Sequence, residues 1–246
     1  MSDLIRARLI RRYKRFLADV YLENGEQITV HCPNTGSMRN CVEEGALVWL
    51  SRSDNKKRKY PYTWEYIRTN RGHTIGINTL RANSLVRQGI ESGIIRELQG
   101  YSEIRSEVVY GLENSRIDLL LSAPDQQDCY VEVKNVTLLE PPVSMGIGYF
   151  PDAVSERGSK HLRELISVVE SGNRAVLLFC VQHSGIRSVR SAGHIDARYG
   201  DLIEEAMDAG VEVLAYKTRV RDGNSNIRKQ IPFERTDVTI SDRGLH

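Results

Sequence analysis

The sequence predicts an α/β protein with an all-β N-terminal part: a small barrel, then a mixed sheet flanked by helices. Three patterns predict it. Residues 4–68 hold short strand-like runs separated by turn signals, as in a small barrel. Residues 115–121 and 129–135 alternate apolar and polar side chains and read as a hairpin. An apolar run at 174–181, a helix over 197–209 and a second apolar run at 211–216 read as parallel strands joined by a crossover.

Residues 4–22 read mainly as strand, with Leu9, Ile10, Phe16, Leu17, Val20 and Leu22 as the apolar positions. Asn24-Gly25 is a hairpin turn signal, and Glu26 to His31 is the return strand. Cys32 to Met38 is a polar loop; Ala46 to Ser51 and Tyr62 to Arg68 are further strands. Two basic clusters lie here. One is Arg11, Arg12, Lys14 and Arg15 around Tyr13; the other is Lys56, Lys57, Arg58 and Lys59, followed by Tyr60, Tyr62 and Trp64. Cations that track phosphates beside rings that stack on bases suit a nucleic acid. A solvated turn with the rings in the core is the alternative. The loop Asn34-Thr35-Gly36-Ser37 either offers amides to an anion or simply turns the chain.

Asn78-Thr79 can cap a helix whose stripe is Leu85, Val86, Ile90, Ile94 and Leu98, kinked or split near Gly89 and Gly93. The chain is thus expected to divide into residues 1–78 and 79–246. Tyr101 to Tyr110 reads as a strand carrying Glu103 and Glu107, with Glu107 either a further metal-side carboxylate or plain surface. After the hairpin, residues 140–148 read as an irregular loop. Ser155 or Ser159 caps a helix bearing Leu162, Leu165, Ile166 and Val169 and stopped by Gly172. Arg157, Lys160 and His161 fall at its start, where free N–H groups favour a phosphate. Arg228 to Phe233 is expected as an edge strand, and Glu234 to His246 as a polar, mobile tail.

The hairpin carries the chemistry. Glu132 and Lys134 share one face of their strand, and Asp118 on the partner strand can lie beside them. Paired carboxylates offer hard oxygen ligands to Mg²⁺ or Mn²⁺. A lysine beside them can polarise the attacking water. A Glu132–Lys134 salt bridge on a solvated face is the bland alternative.

Asp118 followed by Glu132-Val133-Lys134 resembles the D…ExK core of the PD-(D/E)xK nuclease superfamily. The chain as a whole resembles the sugar fermentation stimulation protein family of bacteria and archaea. The likeness rests on residues 12–20 (RYKRFLADV), 31–38 (HCPNTGSM), 115–121 (SRIDLLL), 130–138 (YVEVKNVTL), 150–154 (FPDAV) and 157–165 (RGSKHLREL). It implies an OB-like barrel joined to a nuclease-like domain, DNA binding, and a role in regulating sugar utilisation. It also implies Asp118 and Glu132 as metal ligands, with the Val133 carbonyl as a further candidate, Lys134 as the catalytic lysine, and Lys160 on a helix that flanks the site.

Charge is uneven along the chain. Residues 1–90 carry 16 Lys and Arg against 8 Asp and Glu; residues 91–246 carry 18 against 24. The basic part suits a polyanion; the acidic remainder needs a metal or a local basic patch to hold one. Cys32, Cys41, Cys129 and Cys180 lack zinc-type spacing, and no apolar run has transmembrane length. A cytoplasmic protein without a membrane partner is the expectation, and a homo-oligomer is compatible with it. No helix-turn-helix or zinc-finger signature supports strong sequence specificity. Three readings follow: a DNA-binding protein with a Mg²⁺-dependent nuclease site, a nuclease-fold DNA binder without chemistry, and a module that captures a transcription partner.

Overall fold

The computed structural model describes residues 4–111, 115–221 and 224–235. Its first part is a barrel of β1 (Ile5–Tyr13), β2 (Leu17–Leu22), β3 (Gln27–His31), β4 (Leu47–Arg52) and β5 (Tyr62–Arg68), with β6 (Thr74–Gly76) added at β5. The order β3-β2-β1-β4-β5 closes through a β3–β5 pairing at His31 and Thr63. The run over residues 4–22 is two strands, because Lys14 and Arg15 turn the chain at φ 48° and 64°. Gly25 sits at φ +84° in the β2–β3 turn, a conformation that glycine adopts without steric cost. Leu9, Val20, Val48, Leu50, Trp64 and Ile67 fill the interior.

The helix α1 (Arg81–Glu91) leads out of the barrel. Leu80 holds the cap position without a side-chain bond; Asn78 gives its Nδ2 to Glu65, and its Oδ1 accepts the Leu80 N–H at 3.2 Å, one residue before the helix. Leu85, Val86 and Ile90 are buried as expected, but Ile94 follows the helix end and is 37% exposed. A six-stranded sheet then runs in the order β15-β14-β12-β9-β8-β7. Its strands are β7 (Glu103–Tyr110), β8 (Ser115–Ala123), β9 (Gln126–Val136), β12 (Arg174–Val181), β14 (Glu212–Arg221) and β15 (Asn224–Gln230). β12 pairs parallel to both β9 and β14; the other pairings are antiparallel.

β12 shows why its sequence is apolar throughout. Val176, Leu178 and Cys180 face α1, while Leu177, Phe179 and Val181 face α2 (Glu156–Glu170) and α3 (Ala197–Asp208). Ser155 caps α2, its Oγ accepting from the Gly158 N–H at 2.9 Å, and Ser159 lies inside the helix. A small second sheet joins β10 (Leu138–Leu139), β11 (Ile147–Phe150), β13 (Ser188–Ser191) and β16 (Phe233–Glu234). The stretch expected to be irregular up to Gly148 therefore already contains β11. The expected edge strand at 228–233 is split between β15 and β16, and residues 236–246 of the expected tail lie outside the described residues.

Two seams fix the barrel to the rest. On one, Gly76 N donates to Gln182 O at 2.8 Å and Ser184 N to Thr74 O at 2.9 Å. On the other, Ser37 Oγ and Met38 N donate to Asp152 Oδ2 at 3.0 and 3.3 Å. Within the loop over 34–37 the Gly36 amide is spent on Asn34 Oδ1; the Ser37 hydroxyl and the next amide, Met38 N, are what meet Asp152.

Candidate active site

The β8–β9 ladder stops at Leu119 and Val131, whereas β9 stays paired with β12 as far as Val136. Asp118 and Glu132 therefore stand where the two strands part. The side-chain alternation of β8 also breaks here: Leu119 packs towards α1 and Ile117 towards α2 and α3. Asp118 occupies the break and reaches into the fork. Its Oδ2 accepts the Val133 N–H at 2.7 Å, and its Oδ1 accepts from Asn83 Nδ2 of α1 at 2.7 Å. Opposite Asp118 on β7, Glu107 takes a φ of 56° and is exposed.

Glu132 is 2% exposed and points to the α2 face. Its Oε1 accepts from Lys134 Nζ at 2.6 Å and from His161 Nδ1. His161 Nε2 accepts from Arg157 Nε at 3.3 Å, and His161 Nδ1 lies 3.0 Å from Lys134 Nζ as well as beside Glu132 Oε1, so Glu132, Lys134 and His161 form one cluster. Glu132 Oε2 is buried and has no donor among the described residues. One turn further along α2, Glu164 is 5% exposed and neither of its oxygens has a donor there either.

The two central carboxyls are pushed in opposite directions. Burial, then the neighbouring Glu132, raise Asp118 to about 6, against the Val133 amide, Asn83 and Lys134. Burial also pushes Glu132 upwards, but His161 and Lys134 together outweigh it and hold Glu132 below its ordinary value. The Tyr110 phenol is pushed far up, by burial first and then by Glu132, Glu164 and Asp118. Excess negative potential is concentrated on this face.

The residues fit a divalent cation by the chemistry of the donor set. Glu132 Oε2 is an orphaned buried acceptor, and each Asp118 oxygen keeps a second lone pair. Among the described residues no three His, Cys, Asp or Glu side chains converge as a metal cluster. A cation here would rest on two carboxylates and complete its shell with water or backbone oxygen, as Mg²⁺ commonly does.

The basic candidates of the barrel make no hydrogen bond or ion pair to the fork among the described residues. Lys14 and Arg15 are exposed at the β1–β2 turn, with Arg15 Nε donating to Thr35 O at 3.0 Å. Arg12 is half-buried, and its Nη2 lies within 3.0 Å of the carbonyls of Arg15, Asn34 and Gly36. Lys56, Lys57 and Lys59 are exposed; Arg58 is half-buried and donates to Thr63 Oγ1 at 3.2 Å. Trp64 is fully buried in the barrel, so this ring cannot stack on a base. Lys160 is half-buried on α2, beside His161.

Sequence reasoning named His161 only as a helix-start residue and missed Asn83, Tyr110 and Glu164. His161 had a readable signal: with Leu162 and Leu165 it lies on the buried stripe of α2, an unusual place for an imidazole. Nothing local marks Asn83.

Two family models match the chain: the sugar fermentation stimulation protein RE domain over residues 80–224, and the SfsA N-terminal OB domain over residues 10–77. The chain belongs to the sugar fermentation stimulation protein family. A family homolog from Shewanella pealeana is 58% identical over 224 residues, 91% of this chain and 94% of its own. One from Pseudoalteromonas atlantica is 56% identical over 232 residues, 94% and 97% of the two chains. Among solved structures, Pyrococcus furiosus SfsA in complex with Ca²⁺ superposes with a TM-score of 0.84 at 25% identity, over 95% of this chain and 97% of that one. The barrel followed by a helix-flanked mixed sheet is thus the family's architecture. No helix among the described residues is long and apolar enough to cross a membrane.

Proposed function

We propose that this member of the sugar fermentation stimulation family binds DNA without strong sequence specificity and cleaves phosphodiesters at the β8–β9 fork with a divalent cation, Mg²⁺ or Mn²⁺. The observation that carries the reading is the buried, donorless Glu132 Oε2 beside Asp118. A buried carboxylate oxygen without a donor is costly, and a bound cation removes that cost. That Pyrococcus furiosus SfsA forms a complex with Ca²⁺ supports a divalent ion.

Asp118 and Glu132 hold the cation, which when bound supplies Lewis-acid activation of water and neutralises charge on the phosphate. Lys134 turns its ammonium towards the reacting phosphoryl group and stabilises charge that develops there. His161, fixed by Arg157, keeps Glu132 Oε1 occupied so that Oε2 faces the ligand. Asn83 does the same for Asp118. Lys14, Arg15, Lys56, Lys57 and Lys59 attract the polyanion from the barrel side, with Lys160 nearer the fork. The proposed setting is cytoplasmic regulation of sugar utilisation, in keeping with four buried free thiols.

The test incubates the purified protein with single-stranded, duplex and branched DNA and with RNA, in Mg²⁺, Mn²⁺ or EDTA. Metal-dependent cleavage lost in Asp118→Asn and Glu132→Gln is the expected result. Equal binding with and without metal, with no cleavage of any substrate, contradicts it. The second reading, a binder without chemistry, is favoured by one contact: Lys134 Nζ closes on Glu132 Oε1 at 2.6 Å, so the ammonium neutralises the carboxylate.

A further inference from the structure

We infer that the chain carries a phosphate-binding pocket at the seam between β6 of the barrel and the β14–β15 edge, apart from the fork. A cavity of about 230 Å³ opens there, lined by Lys217, Arg219, Arg228 and Lys229, with no carboxylate among the described residues of its wall. The register explains the convergence. Lys217 on β14 stands directly opposite Lys229 on β15, and Arg219 follows two residues on. An irregularity between Lys217 and Thr218 leaves Arg228 as the extra residue of β15.

Like charges directly opposite on a ladder destabilise it. Lys217 registers the strain: burial pulls its ammonium below the ordinary value, and Lys229 and Arg187 pull it further. Lys217 is committed, donating to Ser184 O at 2.6 Å and Ile186 O at 2.5 Å. Arg219, Arg228 and Lys229 are exposed, and none has a carboxylate partner among the described residues. Other cations of the second part have carboxylate partners: Arg174 pairs with Glu212, Arg190 with Glu234, and Arg235 with Glu204. The pocket therefore concentrates positive charge without a carboxylate partner among the described residues, in a chain whose remainder past residue 90 is acidic.

The wall also supplies neutral groups suited to phosphate oxygens, from Thr74 of the barrel and Ser184 after β12. Thr74 N donates to Ser184 Oγ at 2.9 Å, so both walls are tied together. The floor residue Gln182 donates its Nε2 to Asn135 Oδ1 at 2.7 Å, next to Lys134 in sequence. A phosphate in the pocket thus sits at the end of β12 bonded to the fork strand β9. The ligand chemistry is one phosphate group, from a nucleic-acid backbone or a free phosphorylated compound. The inference holds whether or not the fork cleaves.

The experiment compares the full chain with an Arg219→Gln/Lys229→Gln variant, and with Arg105→Gln as a control for lost charge. Thermal midpoints are measured in sodium phosphate and in sodium chloride of matched ionic strength. Binding of a labelled oligonucleotide is followed in EDTA across a salt series. Phosphate should raise the wild-type and control midpoints above the chloride values and leave the variant unshifted. The ligand-free variant should melt at or above wild type, because a repulsion has gone. If the pocket takes a backbone phosphate, the variant's log–log salt slope falls by about 0.7–0.9 for each phosphate no longer neutralised. If it takes a free compound, phosphate protection is lost while oligonucleotide binding holds. A variant that matches wild type in both measurements overturns the inference.

Discussion

Asp118 completes a backbone pattern that β8 itself abandons: its Oδ2 accepts the Val133 N–H at 2.7 Å, one step past the last rung at Leu119 and Val131. A carboxylate thus replaces a strand carbonyl as acceptor, and the fork that results holds Glu132 and Lys134 around it. The same bond ties the position of Asp118 to the strand that carries the other two groups.

In EDTA, the metal-free protein should lose stability relative to Asp118→Asn as pH rises. Asp118 has a folded value of about 6 against an ordinary 3.8. Its contribution is fully present below pH 4 and is lost as pH rises through 6. Two pH units of difference correspond to a ceiling of about 3 kcal/mol. Glu132 is lowered, so its own contribution grows as pH rises through the ordinary 4.5 and opposes the slope there; it is present in both proteins, and the comparison with Asp118→Asn removes it to first order. Thermal melts at pH 4 to 7 check this, and saturating Mn²⁺ should flatten the trend.

Lys134→Met should separate chemistry from cation binding. Loss of one stabilising donor costs about 10²–10³ in cleavage rate. Ca²⁺ affinity, measured calorimetrically, should persist. His161→Asn should instead weaken cation affinity about 10–100-fold, as the loss of a residue that orients a ligand does.

Asp152→Ala should loosen the barrel seam. Ser37 Oγ and Met38 N both lose their acceptor, which costs about 1–3 kcal/mol. Gly36→Ala should cost a similar amount by a different cause, since its Cβ would lie 2.7 Å from Asp152 Oδ2. Denaturant unfolding of each variant checks both.

Phe179→Ala should cost about 3–5 kcal/mol by opening a cavity. The ring is fully buried on β12, stacked on Phe233 at 5.5 Å and tilted against Phe150 at 5.6 Å. A urea midpoint shift with unchanged slope is the expected signature.

Particular residues show how far the sequence could be read. Asp118, Glu132 and Lys134 stand out because strand alternation puts charges inside an apolar hairpin. The break in β8 does not show, since residues 115–121 alternate as though the ladder continued. His161 and Asn83 reach the fork only because α2 and α1 pack on opposite faces of the sheet, which is tertiary information. β6, β13 and β16 are two to four residues long, too short for periodicity to mark, and β13 and β16 pair with partners distant in sequence. Arg12 reads as a surface cation, yet it holds the loop that meets Asp152.

Calorimetric titration of Ca²⁺ into wild type and Glu132→Gln, at matched pH and salt, tests the fork most directly. One saturable site in wild type, lost or weakened by at least tenfold in a variant that still melts cooperatively, is the predicted result. Indistinguishable isotherms for the two proteins would contradict a cation held by Glu132.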